Sequence, residues 1–162
     1  MSRSQRVAGM LNEAVALEHK AWYYYTLVAG MMDRSAYPNL SVWFRKEALD
    51  ELEHAQIVIS FINRLNTPLR FPDIGRPVLD ESDQLVIDAF RKAVEFEQIV
   101  LGHYSKMAAV ADEEGDLVVA EFCDQFLRLQ IKEVKSFRDH LRNAERCKRE
   151  ADTFVFDQSF GK

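Results

Sequence analysis

Apolar residues recur along the chain at helical spacing, three or four apart, and not in the alternation of a half-buried strand. From about residue 5 to 32 they fall at Val7, Leu11, Ala14, Trp22, Tyr25 and Ala29, and nothing breaks the pattern before Gly30 and Asp33. After a connection holding Pro38, a second helix is expected from about Leu40 to Leu65 on Phe44, Ala48, Ala55, Val58 and Ile62. Residues 66–77 carry three of the four prolines and predict a long irregular connection. A third helix is expected from near Ser82, on Ile87, Phe90, Val94, Leu101, Tyr104 and Ala108, ending at the acidic turn 112–116. A fourth follows to about Arg149, on Val119, Phe122, Phe126, Val134, Phe137 and Leu141. The stretch from Ala151 to Lys162 reads as a short tail with Phe154, Phe156 and Phe160, too short for a full fifth helix. Two short connections and one long one describe an all-α four-helix bundle, with a single long crossover between helices 2 and 3, in one domain spanning 1–162. That fold alone implies no function.

Composition narrows the classes. At 162 residues and 48% hydrophobic the chain can bury a sizeable core, and six glycines and four prolines are too few for a turn-rich β-sandwich. A net charge of −5 argues against nucleic acid or an anionic membrane as partner. Cys123 and Cys147 make no Cys-x-x-Cys pair, so neither a disulfide framework nor a zinc ribbon is expected. No run approaches the roughly 18 apolar residues of a membrane span, and the first residues lead into the helical pattern without an apolar leader. The expectation is a soluble, cytoplasmic protein.

The informative feature is what interrupts the apolar stripes. Extending each stripe places Glu18 among the buried positions of the first helix, Glu51 in the second, Glu97 in the third, and Gln130 with Glu133 in the fourth. His54 follows Glu51 by three residues, one turn along on a neighbouring face. One such Glu is ordinarily a boundary residue whose head reaches water. The same interruption at mid-length in all four helices is different. Burying one carboxylate costs several kcal/mol, whereas a whole domain is stable by only about 5–15 kcal/mol. Converging carboxylates would also repel one another, and no Lys or Arg falls on those stripe positions. A di- or trivalent cation resolves the conflict, and an oxygen-rich set with one imidazole suits iron or manganese, with zinc also able to occupy it. Four carboxylates and a His exceed the usual protein donors of a single ion, which favours two metals bridged by Glu51.

These residues, in the stretches Leu17-Glu18 with Tyr25 seven on, Asp50-Glu51-Leu52-Glu53-His54, Phe96-Glu97-Gln98 and Gln130-Ile131-Lys132-Glu133, resemble the ferritins of the non-haem bacterial type over nearly the whole chain. The resemblance implies a ferroxidase that oxidises Fe(II) with O2 or peroxide and stores ferric oxide in a cage of 24 identical subunits. It implies two Fe per subunit, one on Glu18, Glu51 and His54, the other on Glu51 and Glu97 with Gln130 nearby, and Tyr25 hydrogen-bonded at the edge. Asp50 and Glu133 match part of a third iron site of many bacterial ferritins. Leu129 and Lys132 stand where its further carboxylates would be expected. Bacterioferritins carry a second Glu-x-x-His on the last helix and a haem-binding Met after the second-helix Glu. Here Gln130 with Glu133 and Leu52 stand in those places, so no haem is expected. Rubrerythrins add a four-cysteine domain that this chain lacks.

The remaining residues read more plainly. Tyr23 and Tyr24 are expected to face neighbours or a subunit contact; His19, His103 and His140 to be surface or interface histidines; Cys123 to be a small buried hydrophobe; and Glu121 and Asp124 to lie on a solvated face. A di-metal oxidase or peroxide-removing protein without mineral storage is the alternative reading, and a metal-free helical interaction module is a third.

Overall fold

The computed structural model describes residues 3–161. It contains five helices, α1 (Gln5–Arg34), α2 (Pro38–Arg64), α3 (Leu85–Glu113), α4 (Leu117–Arg146) and α5 (Glu150–Ser159). Helices α1 and α2 pack along each other as one hairpin, α3 and α4 as the second, and α1 lies against α3. The 20-residue stretch from Leu65 to Gln84 joins the hairpins without regular structure, apart from turns at its ends. Ser4 beside Glu114 (hydroxyl to Oε2, 2.6 Å) shows that α1 begins where α3 ends, so those two helices run antiparallel. The four long helices and the crossover are those the periodicity predicts.

Local chemistry sets the ends. The Ser4 hydroxyl caps α1 by accepting from the Val7 N–H at 3.1 Å, and the Asp116 carboxylate caps α4 through Val119 N–H at 3.3 Å. Helices α1, α2 and α3 close alike, with Ala36, Asn66 and Gly115 at φ of 64°, 53° and 72°. In each, the following N–H returns to a carbonyl five residues back: Tyr37 to Met32, Thr67 to Ile62, and Asp116 to Ala111. The crossover is pinned by the buried Asn12, which accepts from Arg70 N–H at 2.6 Å and donates to Pro68 O at 3.1 Å.

The expected tail is a ten-residue helix, α5, and its role is tertiary. Helix α2 opens on Pro38 and has no side-chain cap of its own. Asp157 of α5 supplies one. Its buried carboxylate accepts from Leu40 N–H at 2.8 Å and from Asn39 Nδ2 at 3.1 Å, while Phe156 and Phe160 pack into the neighbouring apolar cluster. Sequence periodicity misses this because the helix is short and its partner is 117 residues away. Removing the carboxylate leaves a buried donor unpaired, so Asp157→Ala is expected to lower stability by roughly 1–2 kcal/mol. Thermal unfolding checks this, and an unchanged midpoint would contradict the capping role.

The core falls into two clusters separated along the bundle axis. One holds Tyr24, Tyr25, Phe44, Phe90 and Phe137, with Phe156 of α5; the other holds Leu11, Val58, Ile62, Tyr104, Cys123 and Phe126. Along α1 the clusters meet between Leu17 and Ala21; along α2 between Ala48 and Ala55; along α3 between Val94 and Val100; along α4 between Phe126 and Phe137. Into those gaps fall Glu18, Glu51 with His54, Glu97, and Gln130 with Glu133.

Candidate metal centre

Glu18, Glu51, Glu97 and Gln130 are each no more than 2% exposed. Each sits mid-helix, so its own backbone groups are already paired and its side chain must find a partner inside the bundle. One oxygen or nitrogen from each of Glu18, Glu51 and His54 lies within 4.8 Å of the other two. His54 Nδ1 stands 3.7 Å from Glu18 Oε2 and 3.7 Å from Glu51 Oε2. Both of those oxygens are buried and have no hydrogen-bond partner among the described residues. Unpaired buried oxygens of this kind are rare, because leaving such a group unmade costs about 1–3 kcal/mol or more for a charged one.

Across the layer, Glu97 is held differently. Tyr25, fully buried, donates its hydroxyl to Glu97 Oε1 at 2.6 Å, and Gln130 Nε2 donates to Glu97 Oε2 and to the Glu97 carbonyl. The Tyr25 ring stacks on Phe137 at 5.4 Å, which fixes the hydroxyl over the carboxylate. The two halves therefore differ. Glu18 Oε2 and Glu51 Oε2 stand free beside His54, and both oxygens of Glu97 are occupied by neutral donors.

The electrostatics follow from that crowding. Burial, reinforced by Glu51, pushes Glu97 up to about 8. Burial and the neighbouring Glu18 hold Glu51 well above the usual carboxylate range, against the opposing pull of His54. Burial by itself would lower His54, but the Glu18 and Glu51 carboxylates outweigh it and push the imidazole up to about 11. Protons thus supply the positive charge that the layer lacks. No Lys or Arg among the described residues forms an ion pair with Glu18, Glu51 or Glu97.

Asp50 and Glu133 sit at the margin of this layer. Asp50 is half-buried and pairs with Lys46 at 3.2 Å. Glu133, read as inward from its stripe, is half-buried at the boundary of the bundle, and burial with nearby Glu51 raises its pKa. Glu47, one turn before Glu51, was not legible as a site residue. It is pushed up to about 8, first by burial and then by Glu133 and Asp50, so the three carboxylates share one neighbourhood beside the buried layer.

A family model described as ferritin-like domain matches residues 8–147. The chain belongs to the ferritin family. The ferritin-2 heavy chain of Schistosoma mansoni is 27% identical over 151 residues, covering 91% of this chain and 87% of that one. The bacterial non-heme ferritin of Staphylococcus aureus (strain USA300) is 22% identical over 159 residues, covering 98% and 95%. Among solved structures, an open-pore ferritin from the hyperthermophilic archaeon Archaeoglobus fulgidus superimposes with a TM-score of 0.90 at 20% identity, covering 98% of both chains. At that identity the likeness speaks for the fold.

Within this ferritin fold the remaining sequence readings divide. Cys123 is fully buried and unpaired, as its apolar neighbourhood implied. Glu121 and Asp124 are exposed. Tyr24 does not face a neighbour. It is wholly buried in its own subunit, with its hydroxyl donating to Ala89 O at 2.9 Å, whereas Tyr23 is 38% exposed. His140 is half-buried and lies among the rings of Trp43, Phe90 and Phe160. His103 bonds the Met10 carbonyl at 2.7 Å, and His19 packs against Phe71. The residue sequence reasoning missed outright is Tyr104, placed on the apolar stripe of α3. Its hydroxyl donates to Glu18 Oε1 at 3.3 Å. The signal was its spacing, seven residues after Glu97, as Tyr25 stands seven after Glu18.

Among the described residues no helix is long and apolar enough to cross a membrane.

Proposed function

We propose that this chain is an iron-storage ferroxidase, which binds two Fe(II) in the buried layer, oxidises them with O2 or peroxide, and deposits ferric oxide inside a cage of 24 copies. The observation that carries the reading is the pair of unpartnered buried oxygens, Glu18 Oε2 and Glu51 Oε2, converging with His54 in a dry interior. Iron here is substrate. Glu18, Glu51 and His54 hold the first ion, and Glu51 with Glu97 holds the second, with Gln130 and Tyr25 orienting Glu97. Binding displaces the protons that the layer carries in the metal-free protein, because Glu51, Glu97 and His54 all have raised proton affinities. Each pair of Fe(II) gives up two electrons. With two protons these reduce O2 to hydrogen peroxide, or hydrogen peroxide to two waters. Asp50, Glu133 and Glu47 form the carboxylate margin through which ions reach or leave the centre, and Asp50 with Glu133 is the part of a third site that matches. No haem enters this reading, since Leu52 follows Glu51.

Assembly with copies of itself is supported by exposed apolar residues on the crossover. Leu69, Phe71 and Val78 are 40%, 57% and 58% exposed, apolar surface that a contact with another copy would cover. The names of the relatives and the family match support the storage role. Light scattering coupled to size-exclusion chromatography is expected to find a particle of 24 chains of 18.8 kDa each, several hundred kilodaltons in all. Aerobic Fe(II) should then be oxidised and retained in the protein fraction as mineral. Rapid oxidation by a monomer or dimer with no retained iron would favour a di-metal oxidase or peroxide-removing protein instead.

A further inference from the structure

Tyr104 has a phenol where packing asks only for a phenyl. Its ring is fully buried, stacks on Phe126 at 4.8 Å with planes 17° apart, and belongs to the apolar cluster of Met107, Val119 and Cys123. A hydroxyl placed there is costly unless it finds a partner, and among the described residues its hydrogen bond is to Glu18 Oε1, at 3.3 Å. That contact mirrors another. Tyr25 stands seven residues after Glu18 on α1 and donates to Glu97 of α3; Tyr104 stands seven residues after Glu97 on α3 and donates to Glu18 of α1. Because α1 and α3 run antiparallel, the two phenols approach the carboxylate layer from opposite ends of the bundle, one from each apolar cluster. The hairpins are thus related by an approximate two-fold through the layer.

The consequences for the two carboxylates are unequal. On Glu97, Tyr25 shares the load with Gln130, and both oxygens are engaged. On Glu18, Tyr104 engages Oε1 alone and leaves Oε2 bare, 3.7 Å from His54 Nδ1. We propose that Tyr104 is a positioning residue for the first ion, tethering one oxygen of Glu18 so that the other is presented to the metal beside Glu51 and His54. At 3.3 Å the tether is long for an O–H···O bond, so it selects an orientation of Glu18 without locking it against the small shift that metal binding requires. The inference rests on the ferroxidase reading above and adds a residue that acts through Glu18 and not on the iron.

The test uses the assembled protein, Co(II) as an oxygen-stable probe, and two variants that each remove one hydroxyl. Anaerobic Fe(II) titration accompanies the visible Co(II) spectrum, which reports coordination number. Partners that orient a ligand typically contribute tenfold to a hundredfold in metal affinity, so Tyr104→Phe is expected to weaken the first binding step about tenfold and to alter the Co(II) band of that step. Tyr25→Phe is expected to leave the first step as in the parent and to weaken the second. A Tyr104→Phe variant with the parent's first-step affinity and spectrum would overturn the proposal while leaving the ferroxidase reading intact. Equal effects of both variants on both steps would also overturn it, since that is what a general loosening of the core produces. A parent protein that binds no Co(II) in the layer would defeat the ferroxidase reading itself, and this inference with it.

Discussion

Glu51→Gln is expected to make the metal-free protein more stable and to abolish its iron chemistry in the same step. The substitution keeps the shape of a side chain that is 1% exposed and replaces a carboxylate that must take up a proton to be buried there with a neutral amide. Removing a carboxyl that folding must neutralise near pH 7 should stabilise the metal-free fold by about 1–3 kcal/mol, a rise of roughly 3–10 °C in the unfolding midpoint for a domain of this size. Glu51 is also the one residue assigned to both ions. Its loss is expected to reduce aerobic Fe(II) oxidation, followed by the growth of ferric absorbance, by more than about a hundredfold, since even partners of ligands contribute tenfold to a hundredfold. The particle size should not change. Substitutions Glu18→Ala and His54→Ala should share the kinetic loss. Undiminished oxidation in all three variants would remove the centre from the mechanism. A lowered midpoint in Glu51→Gln would show that the layer is stable in its own right and that charge repulsion is not what metal relieves.

The second large effect is a reversal of pH dependence on metal loading. In the metal-free protein the layer is held by protons. Glu97, raised from 4.5 to about 8, contributes stability that is fully present below about 4.5 and is lost as pH rises through about 8. Glu51 is shifted in the same direction by burial and by Glu18. His54, raised from 6.5 to about 11, contributes stability that is full below 6.5 and declines as pH climbs towards 11. All three slopes have one sign, so the midpoint of the metal-free protein is expected to fall between pH 5 and pH 8, by an amount on the order of a few kcal/mol in stability. Metal competes with those protons, so its affinity rises over the same interval. Saturating Zn(II), which is redox-silent, should therefore raise the midpoint more at pH 8 than at pH 6, and the gap should narrow in Glu51→Gln. A stabilisation by Zn(II) that is the same at both pH values would mean that ions bind without displacing protons, and so outside this layer.

Much of the candidate site was legible because helices impose a period that a reader can extend. Once Leu11, Ala14, Trp22 and Tyr25 define a face, Glu18 must lie near it, and the same holds for Glu51, Glu97 and Gln130. The argument weakens at the edge of a stripe, where one residue's rotation decides between inside and outside. Glu133 reads as inward and is half-buried; Glu47, which the stripe of the second helix passes over, is drawn into the margin of the layer. Tyr104 escaped for another reason. Its ring obeys the apolar pattern, and only its hydroxyl, aimed across to α1, carries the chemistry. Asp157 was invisible because a cap supplied from another helix leaves no signal at either sequence position.

What the chain determined unaided is which residues are helical, which face each helix buries, and that every long helix brings a polar group to its buried middle. Those are properties of a 3.6-residue period and of side-chain polarity, and both are local. Tertiary structure decided the pairings: that α1 and α3 are antiparallel, that Tyr25 reaches Glu97 while Tyr104 reaches Glu18, and that α5 closes the start of α2. It also decided that the two halves of the centre are unlike, with both oxygens engaged on Glu97 and one left bare on Glu18 and on Glu51. Such contacts join residues from 33 to 117 apart, and only the packing of rigid helices brings them within hydrogen-bonding reach.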